Sequence, residues 1–222
     1  MGALAALSGC GITQRDGTQK LLRGFSSLNE RAQAALFRRS ALAPLYPDSA
    51  LTQPFRFNAF YTEASVPQID AATWRLDVSG KVRDQAPWSL AAIRALPSIA
   101  QATRLVCIEG WSAVGKWTGV PLHAFLAYIG ADPGAKYVGF RCADGYYTSI
   151  DMASALHPQT LLAYGFAGAR TLPEEFGHPL RLRIPVKLGF KNPKHLVELR
   201  VTDEFPGGYW EDLQAYNWFA GL

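Results

Sequence analysis

One cysteine stands where a fold could present it to a ligand. Residues 104–107 form an apolar run that predicts a short strand, and Cys107 ends it just before the turn signal of Gly110 and Trp111. A strand end that enters a loop can hold a side chain rigidly at a cleft. A thiolate is a soft ligand that suits a redox-active metal. A single cysteine in an apolar segment is more often an inert core residue, so this pattern leaves both interpretations open.

A second candidate group is basic. Lys187, Lys191, Lys194 and His195 fall within nine residues, in a segment punctuated by glycine and proline. Such a loop exposes backbone N–H groups and could place ammonium groups beside a phosphate. A solvated basic turn explains the composition equally well. Zinc is not indicated, because the sequence has no CxxC or HxxxH pairing to supply further ligands.

The segment that begins at Cys107 carries a family resemblance. The stretch CIEGWSAVGKWTGVPL resembles the cofactor-ligating segment of the sulfite-oxidase-type molybdopterin oxidoreductases. It is most similar to the bacterial periplasmic branch that includes the catalytic subunit of protein-methionine-sulfoxide reductase. The shared features are Cys107, Glu109, Trp111 and residues 117–122. Similar motifs occur before it, at residues 58–61, and after it, at residues 189–194, so the resemblance covers roughly residues 55–205.

The resemblance implies a fold, a cofactor and a set of site residues. The expected fold class is α+β, as a mixed β-rich sulfite-oxidase-like molybdopterin-binding domain. The expected cofactor is molybdopterin with one molybdenum, with Cys107 as metal ligand and catalytic residue. The positions that match cofactor-binding residues of the family are Asn58, Tyr61, Thr62, Cys107, Cys142, Arg181, Lys191, Asn192, Pro193 and Lys194.

This chain departs from the family pattern at three of the matched positions. Thr62 stands where the family often has Glu, Cys142 where the branch has Thr, and Phe176 where it has Asn, with His178 nearby. Cys142 could donate weakly to the cofactor or be a buried strand residue. It could also pair with Cys107 in a disulfide, which would contradict the metal role.

The activity implied by the resemblance is two-electron oxygen-atom transfer at a sulfur centre, with sulfoxide reduction favoured. The substrate would be a small-molecule or protein-bound sulfur compound. Side chains cannot perform this chemistry, so the cofactor must carry it. A pocket mouth lined by Trp111, Trp117, Tyr146 and Tyr147 is expected, although these aromatic residues could equally be core. The alternatives are a sulfite-oxidising molybdoenzyme and a cofactor-free extracytoplasmic binding domain with a Cys107–Cys142 disulfide.

Electrons would come from a separate partner, because no CxxCH haem signature occurs in the sequence. The resemblance implies that this partner is a haem membrane protein. A net charge of +4, with no run of five like charges, does not indicate nucleic-acid binding.

The amino terminus resembles the end of a bacterial lipoprotein signal. Residues 1–9 are small and apolar, and Leu7, Ser8 and Gly9 precede Cys10 as in a lipobox. The basic region that normally begins such a signal is missing, which favours a true start further upstream. We therefore expect a lipid anchor at Cys10 and a periplasmic or extracytoplasmic location. A tail with an unrelated cysteine is the alternative.

Three segments are predicted along the chain. Residues 1–26 form a signal-like tail and linker, residues 27–54 a helix and a proline-rich entry, and residues 55–222 the cofactor-binding domain. A capping box at residues 27–30 predicts a helix to about Arg39. Further helices are predicted at 89–96, 121–129 and 152–156. Strands are predicted at 74–78, 104–107, 136–142, 146–150, 180–186 and 196–202.

Overall fold

The structure, a computed structural model, describes the backbone of residues 16–222 and the side chains from residue 24 onward. The chain divides into two compact units, residues 1–37 and residues 38–222. Residues 1–15, and with them the predicted anchor at Cys10, lie outside the described residues.

The first unit contains one long helix, α1 (Asp16–Leu36). The prediction of a linker up to residue 26, with a helix start at the capping box, is therefore wrong. The box lies inside the helix, and apolar residues at helical spacing, Leu21 and Phe25, already precede it. The two glycines of this segment suggested a loop, yet the helix tolerates them. The polar, glycine-containing composition before the box predicted a linker, although apolar residues at helical spacing occur there.

The second unit is built on two sheets. Its helices are α2 (Leu90–Arg94), α3 (Leu122–Tyr128), α4 (Met152–Ala155) and α5 (Tyr209–Gln214). Its strands are β1 (Arg75–Gly80), β2 (Trp88–Ser89), β3 (Ile99–Val106), β4 (Ser112–Pro121), β5 (Tyr137–Cys142), β6 (Tyr147–Asp151), β7 (Leu161–Phe166), β8 (Arg181–Arg183) and β9 (Leu196–Thr202). Short 3-10 helices occupy Asp48–Ala50, Glu63–Ser65, Glu174–Phe176 and Gly189–Lys191.

The sheets are mixed. One has the order β2-β1-β9-β5-β6 and the other the order β3-β4-β7-β8. The β1–β9 pair is parallel, whereas the other paired strands are antiparallel. A mixed sheet architecture with helices between short strands confirms the α+β prediction.

Two hydrophobic clusters hold the second unit together. The larger cluster joins buried residues of the five-stranded sheet, such as Leu76, Val138 and Leu199, to those of α3. The smaller cluster contains Trp117, Leu161, Ala163, Phe166, Leu172 and Phe176. Phe55 packs on it, edge-on to Trp117 at a ring-centroid distance of 5.6 Å. This smaller cluster lies behind β4 and β7, and it supports the basic side chains described below.

Strands β4 and β7 and helix α5 were not predicted. Strand β4 contains two glycines and ends at Pro121, which resembled turn signals. The glycines serve close strand contact instead: a Cβ on Gly119 would lie 2.2 Å from the carbonyl oxygen of Leu162. Strand β7 is buried along its whole length and therefore shows no alternation. Over residues 16–222, no helix combines the length and the apolar character needed to cross a bilayer.

Candidate active site

A pocket of about 230 Å³ lies beside Cys107. Five parts of the chain form its walls: the residues around Asn58, the turn after β3, the β5–β6 turn, strand β8 with the loop that follows it, and helix α5 with the residues after it. The lining combines one thiol, two cations and two carboxylates with several aromatic rings. It contains Asn58, Ala59, Phe60, Tyr61, Cys107, Ile108, Glu109, Asp144, Tyr146, Arg181, Gly189, Phe190, Asn192, Pro193, Lys194, Trp210, Gln214 and Tyr216.

Cys107 is held in a tight turn. Its N–H donates to the carbonyl oxygen of Trp111 at 2.9 Å, and Gly110, at a φ of +88°, donates back to its carbonyl oxygen at 3.2 Å. Gly189 packs directly behind it, where a Cβ would lie 3.7 Å from the Cα of Cys107. Burial raises the pKa of the Cys107 thiol, while the backbone N–H groups of Glu109 and Ile108 lower it. Those N–H groups favour a thiolate wherever a cation or metal replaces the proton.

Two buried cations face the pocket from the opposite wall. Arg181 donates to the carbonyl oxygens of Phe176 at 2.9 Å and Asn192 at 3.0 Å, and its guanidinium lies 4.7 Å from the centre of the Trp117 ring. Burial lowers the pKa of Arg181 to about 10. Among the described residues, no carboxylate oxygen lies within 4.0 Å of its guanidinium.

Lys194 is the second of these cations. Its ammonium donates to the carbonyl oxygens of Asn58 at 2.6 Å and Glu175 at 2.7 Å. Burial and, after it, the neighbouring charge of Arg181 lower the pKa of Lys194 to about 7. Within the described chain it too has no carboxylate ion pair. Carbonyl dipoles and the Phe57 ring, 4.7 Å from the ammonium, compensate a buried charge less well than a carboxylate would, so this wall favours an anion.

A phenol and a carboxylate meet on a third side of the pocket. The Tyr61 hydroxyl donates to Asp144 Oδ2 at 3.0 Å, and the N–H of Tyr146 donates to Asp144 Oδ1 at 3.0 Å. Burial, followed by the charge of Asp144, raises the pKa of Tyr61. The Tyr146 hydroxyl in turn donates to the carbonyl oxygen of Phe190 at 2.6 Å. These bonds tie the β5–β6 turn to the loop after β8.

The pocket mouth is aromatic and partly polar. Trp210 and Tyr216 stack with ring centroids 5.7 Å apart, and the exposed side chains of Phe60 and Ile108 lie at the same mouth. Glu109 accepts a hydrogen bond from the Trp111 indole at 2.9 Å. An apolar body with a few polar groups is typical of a small-molecule site.

Seven of the ten residues predicted for the site line this pocket: Asn58, Tyr61, Cys107, Arg181, Asn192, Pro193 and Lys194. The structure places the other three elsewhere. Thr62 is exposed, with its hydroxyl 3.3 Å from that of Ser65. Cys142 is packed in the larger hydrophobic cluster, and burial raises its pKa well above the usual range. The Lys191 ammonium pairs with Glu211 at 2.5 Å, away from the pocket.

Two further expectations need correction. Cys107 and Cys142 are both free, so the alternative that rested on a disulfide between them is wrong. Of the four aromatic residues expected at the mouth, Tyr146 lines the pocket, and Trp117 is fully buried core. Trp111 and Tyr147 do not line it. The indole of Trp111 lies against Arg56, 4.8 Å from ring centre to guanidinium carbon, and Tyr147 donates to Asp212 at 2.8 Å.

The lining residues missed from the sequence fall into two groups. Asp144 stood within a hairpin signal and was interpreted only as a turn residue. Trp210, Gln214 and Tyr216 lie in a carboxy-terminal stretch that carried no motif we recognised. Its run of aromatic residues after Gly207 and Gly208 was the available signal. An aromatic-rich segment entered through two glycines could have been marked as a wall or lid.

The chemistry of these residues fits a molybdopterin. In the part of the chain that the structure describes, no group of three or more His, Cys, Asp or Glu could hold a metal ion. A metal bound at Cys107 must therefore bring most of its ligands with it, which a pterin dithiolene does. The unpaired cations Arg181 and Lys194 match the negative charge that such a cofactor carries.

Comparison with solved structures supports the fold. The sulfane dehydrogenase SoxCD of Paracoccus pantotrophus superposes with a TM-score of 0.61 at 18% sequence identity. The match covers 78% of this chain and 47% of that one. The fold is thus that of the sulfite-oxidase-like molybdoenzymes.

Sequence comparison defines the family. Residues 63–210 match the family described as the oxidoreductase molybdopterin binding domain. A protein of Azospira oryzae, provisionally named a protein-methionine-sulfoxide reductase subunit, is 53% identical over 221 residues, covering 100% of this chain and 84% of its own length. The protein-methionine-sulfoxide reductase catalytic subunit of Xanthomonas campestris is 37% identical over 194 residues, or 75% of this chain and 59% of its own length. The chain belongs to the oxidoreductase molybdopterin binding domain family, and it is a molybdopterin-dependent oxidoreductase.

Proposed function

We propose that this protein reduces sulfoxides, with methionine sulfoxide as the reference substrate. The observation that carries the proposal is the pocket itself, in which a turn-held thiol faces two unpaired buried cations. The names of the relatives in Azospira and Xanthomonas support the direction of the reaction. The chain spans 59% of the Xanthomonas relative, so the activity is assigned to this chain as a proposal.

The pocket residues divide the work between metal and cofactor binding. Cys107 would complete the sulfur ligands of molybdenum. Arg181 and Lys194 would hold the negative charge of the cofactor, and Asn58, Tyr61, Asn192 and Pro193 would contact its pterin. When bound, the cofactor supplies a metal that exchanges two electrons and an oxygen atom. Cys142, Lys191 and Thr62 are left out of the proposed site, because their side chains are engaged elsewhere.

The protein's own contribution is orientation and electrostatics. The aromatic mouth would accept the apolar part of a sulfur compound, whether free or on a protein. The cation wall would remain charged once it faces an anion, because an opposite charge favours the protonated amine. Donors fixed in advance inside a poorly hydrated pocket act more strongly than they would in water.

Location and partners belong to the same proposal. We infer a periplasmic or extracytoplasmic location from the similarity of residues 7–10 to a lipobox, and a lipid anchor at Cys10. Electrons would reach the pocket from a separate protein, for which a haem-containing membrane subunit is the first choice. The relatives' designation as subunits supports the existence of a partner.

The test compares molybdenum content and activity in two cysteine variants. Cys107→Ser should lose nearly all bound molybdenum, because the hard hydroxyl replaces a soft thiolate ligand. Cys142→Ser is the matched control, since its side chain is buried but lies off the pocket, and it should keep its metal. Molybdenum per chain is measured by mass spectrometry, and activity with methionine sulfoxide, dimethyl sulfoxide or sulfite and artificial electron carriers. A metal-loaded wild type that oxidises sulfite but reduces neither sulfoxide would contradict the proposed direction.

A further inference from the structure

Sulfoxide reduction needs protons as well as electrons. One sulfoxide, two electrons and two protons give one thioether and one water, so the sulfur–oxygen bond breaks and two oxygen–hydrogen bonds form. The electrons come from the partner protein through the bound metal. The protons must reach the part of the pocket around Cys107, Arg181 and Lys194, which are buried. A route for them would have to join solvent to the pocket through groups that exchange protons.

The Tyr61–Asp144 contact has this arrangement. Asp144 lies half-buried in the β5–β6 turn, between the exposed residues Ala143 and Gly145. Its Oδ2 accepts the Tyr61 hydroxyl at 3.0 Å, and both side chains line the pocket. Both side chains are half-buried, so Asp144 can be reached from water at the turn while Tyr61 lines the pocket beside it. Its geometry is fixed, because Asp144 Oδ1 also accepts the N–H of Tyr146.

Other polar groups of the pocket are less suited to this task. Arg181 keeps its proton at any physiological pH. Lys194 already donates to two carbonyl oxygens and faces the proposed cofactor. Cys107 is committed to the metal. Titratable groups that interact with Asp144 from the surrounding elements are Tyr61, Cys142, Tyr146, Lys194 and His195.

We propose that Asp144 and Tyr61 form a proton relay from solvent to the oxygen that leaves the sulfoxide. In each passage, Asp144 takes a proton from water and gives it to the phenol oxygen of Tyr61. Tyr61 simultaneously releases its own hydroxyl proton to the departing oxygen. Two passages complete the water molecule, and both side chains end as they began. The inference rests on the proposed sulfoxide reduction and adds to it the source of the protons.

Asp144→Asn separates proton transfer from hydrogen bonding. The amide oxygen can still accept the Tyr61 hydroxyl, but it cannot carry a proton at neutral pH. We expect kcat for methionine sulfoxide with a reduced viologen dye to fall about 100-fold, with little change in KM or molybdenum content. The solvent deuterium isotope effect on kcat should increase, because proton transfer becomes limiting. Tyr61→Phe should cause a similar loss, and the double variant should lose little more.

Asp84→Asn is the matched control. Asp84 Oδ1 accepts the N–H of Ala86 at 3.0 Å, the same local bond that Asp144 makes with Tyr146, but it is exposed and lies off the pocket. Its kcat should stay within twofold of wild type. In Asp144→Ala, added formate should restore at least tenfold of the lost rate, because a small acid can occupy the space. A purely structural role for Asp144 gives no such rescue.

A second readout does not depend on turnover. The 13Cζ chemical shift of Tyr61, assigned by its absence in Tyr61→Phe, reports whether the phenol donates to an anion. It should change in Asp144→Asn and stay fixed in Asp84→Asn. If the wild type is active and its Asp144→Asn variant keeps its kcat, the relay is wrong. Equal solvent deuterium isotope effects on kcat in the wild type and in Asp144→Asn would also overturn it. If only Glu109→Gln lost activity, the proton source would lie at Glu109 instead. An inactive but loaded wild type would count against the proposed function, not the relay.

Discussion

The buried cations of this protein fall into two regions with different partners. Lys187 and Lys191 lie beneath the carboxy-terminal segment, where Asp151 and Glu211 neutralise them at 3.3 and 2.5 Å. Arg181 and Lys194 lie at the pocket and, over the described residues, bond to carbonyl oxygens without a carboxylate ion pair. All four are nearly inaccessible to solvent. The difference therefore lies in the source of the negative charge, and not in burial.

Two kinds of buried cation can therefore be distinguished. One kind is neutralised by a carboxylate of the fold, and the other has no carboxylate partner within the described fold and is suited to bind an anionic ligand. A buried ion pair is complete when the chain has folded. A buried ammonium that meets carbonyl dipoles and an aromatic ring, but no carboxylate within ion-pair distance, has an unfavourable charge until an anion enters. Three of these cations come from one nine-residue segment, so position in the fold, and not sequence, assigns the role.

The largest expected effect is on the region of the two buried ion pairs, Lys187–Asp151 and Lys191–Glu211, which we call the structural region. Glu211→Gln removes the carboxylate that pairs with the fully buried Lys191 and leaves that charge without this ion pair. We expect the free energy of unfolding to fall by about 3–5 kcal/mol. Urea unfolding followed by circular dichroism measures it.

Two controls accompany Glu211→Gln. Asp212→Asn, on the same helix but exposed, should cost less than about 1 kcal/mol. Replacing both partners, as Lys191→Met with Glu211→Leu, should recover most of the loss, because two apolar groups need no compensation. A Glu211→Gln variant no less stable than Asp212→Asn would show that the pair is not structural.

Replacing a cation of the pocket should weaken cofactor binding and not the stability of the apoprotein, the reverse of what we expect for Glu211→Gln. Lys194→Met removes a charge that lacks an ion pair, so at pH 7 the apoprotein should be no less stable than wild type. Cofactor binding should weaken by about 1.5–3 kcal/mol, because a charge-assisted hydrogen bond is lost. Molybdenum retained after long dialysis measures this loss.

Lys187→Met is the counterpart of Lys194→Met in the structural region. It should lower stability and leave the affinity for the cofactor unchanged, since its ammonium is directed to Asp151 and to the carbonyl oxygen of Phe219. If the two variants gave the same pair of results, the two regions would not differ in function.

The same contrast shows what could be predicted from the sequence. Cys107 and the loop 192–194 were identified because their neighbours form contiguous motifs, and contiguous motifs survive in the sequence as spacing. Lys191 lies within such a motif, yet Glu211 draws it away from the pocket. That partner is twenty residues distant, and its helix had no recognised signal. A side chain's direction depends on what packs against it, which local patterns do not encode.

The fold shows a related limit. A strand with alternating burial, such as β1, was predicted, because the period of two is visible in the residues themselves. Strand β7 is buried on both faces, and β4 uses glycines for close contact with its neighbour, so neither showed that period. The β5–β6 hairpin was predicted from its turn, but the contact of its Asp144 with Tyr61 joins positions 83 residues apart.

The last expected effect is a pH dependence that belongs to Lys194. An unfolded lysine titrates near pH 10.4, whereas burial lowers the pKa of Lys194 to about 7 in the fold. Between these values the unfolded chain holds a proton that the folded apoprotein has released. Stability of the apoprotein should therefore rise with pH from about 7 to 10, by at most about 1.4 kcal/mol per pH unit.

This slope can be isolated by difference. Lys194→Met has no such group, so its unfolding free energy subtracted from that of wild-type apoprotein removes the contribution of Lys187 and the other bases. In the protein with cofactor bound, an anion beside Lys194 favours its protonated form. The difference in unfolding free energy between wild type and Lys194→Met should then no longer change with pH over pH 7 to 9.5. Parallel curves for the two apoproteins would mean that Lys194 stays charged without a ligand. The pocket cations would then be as well compensated as the structural pair, and the distinction between the two regions would fail.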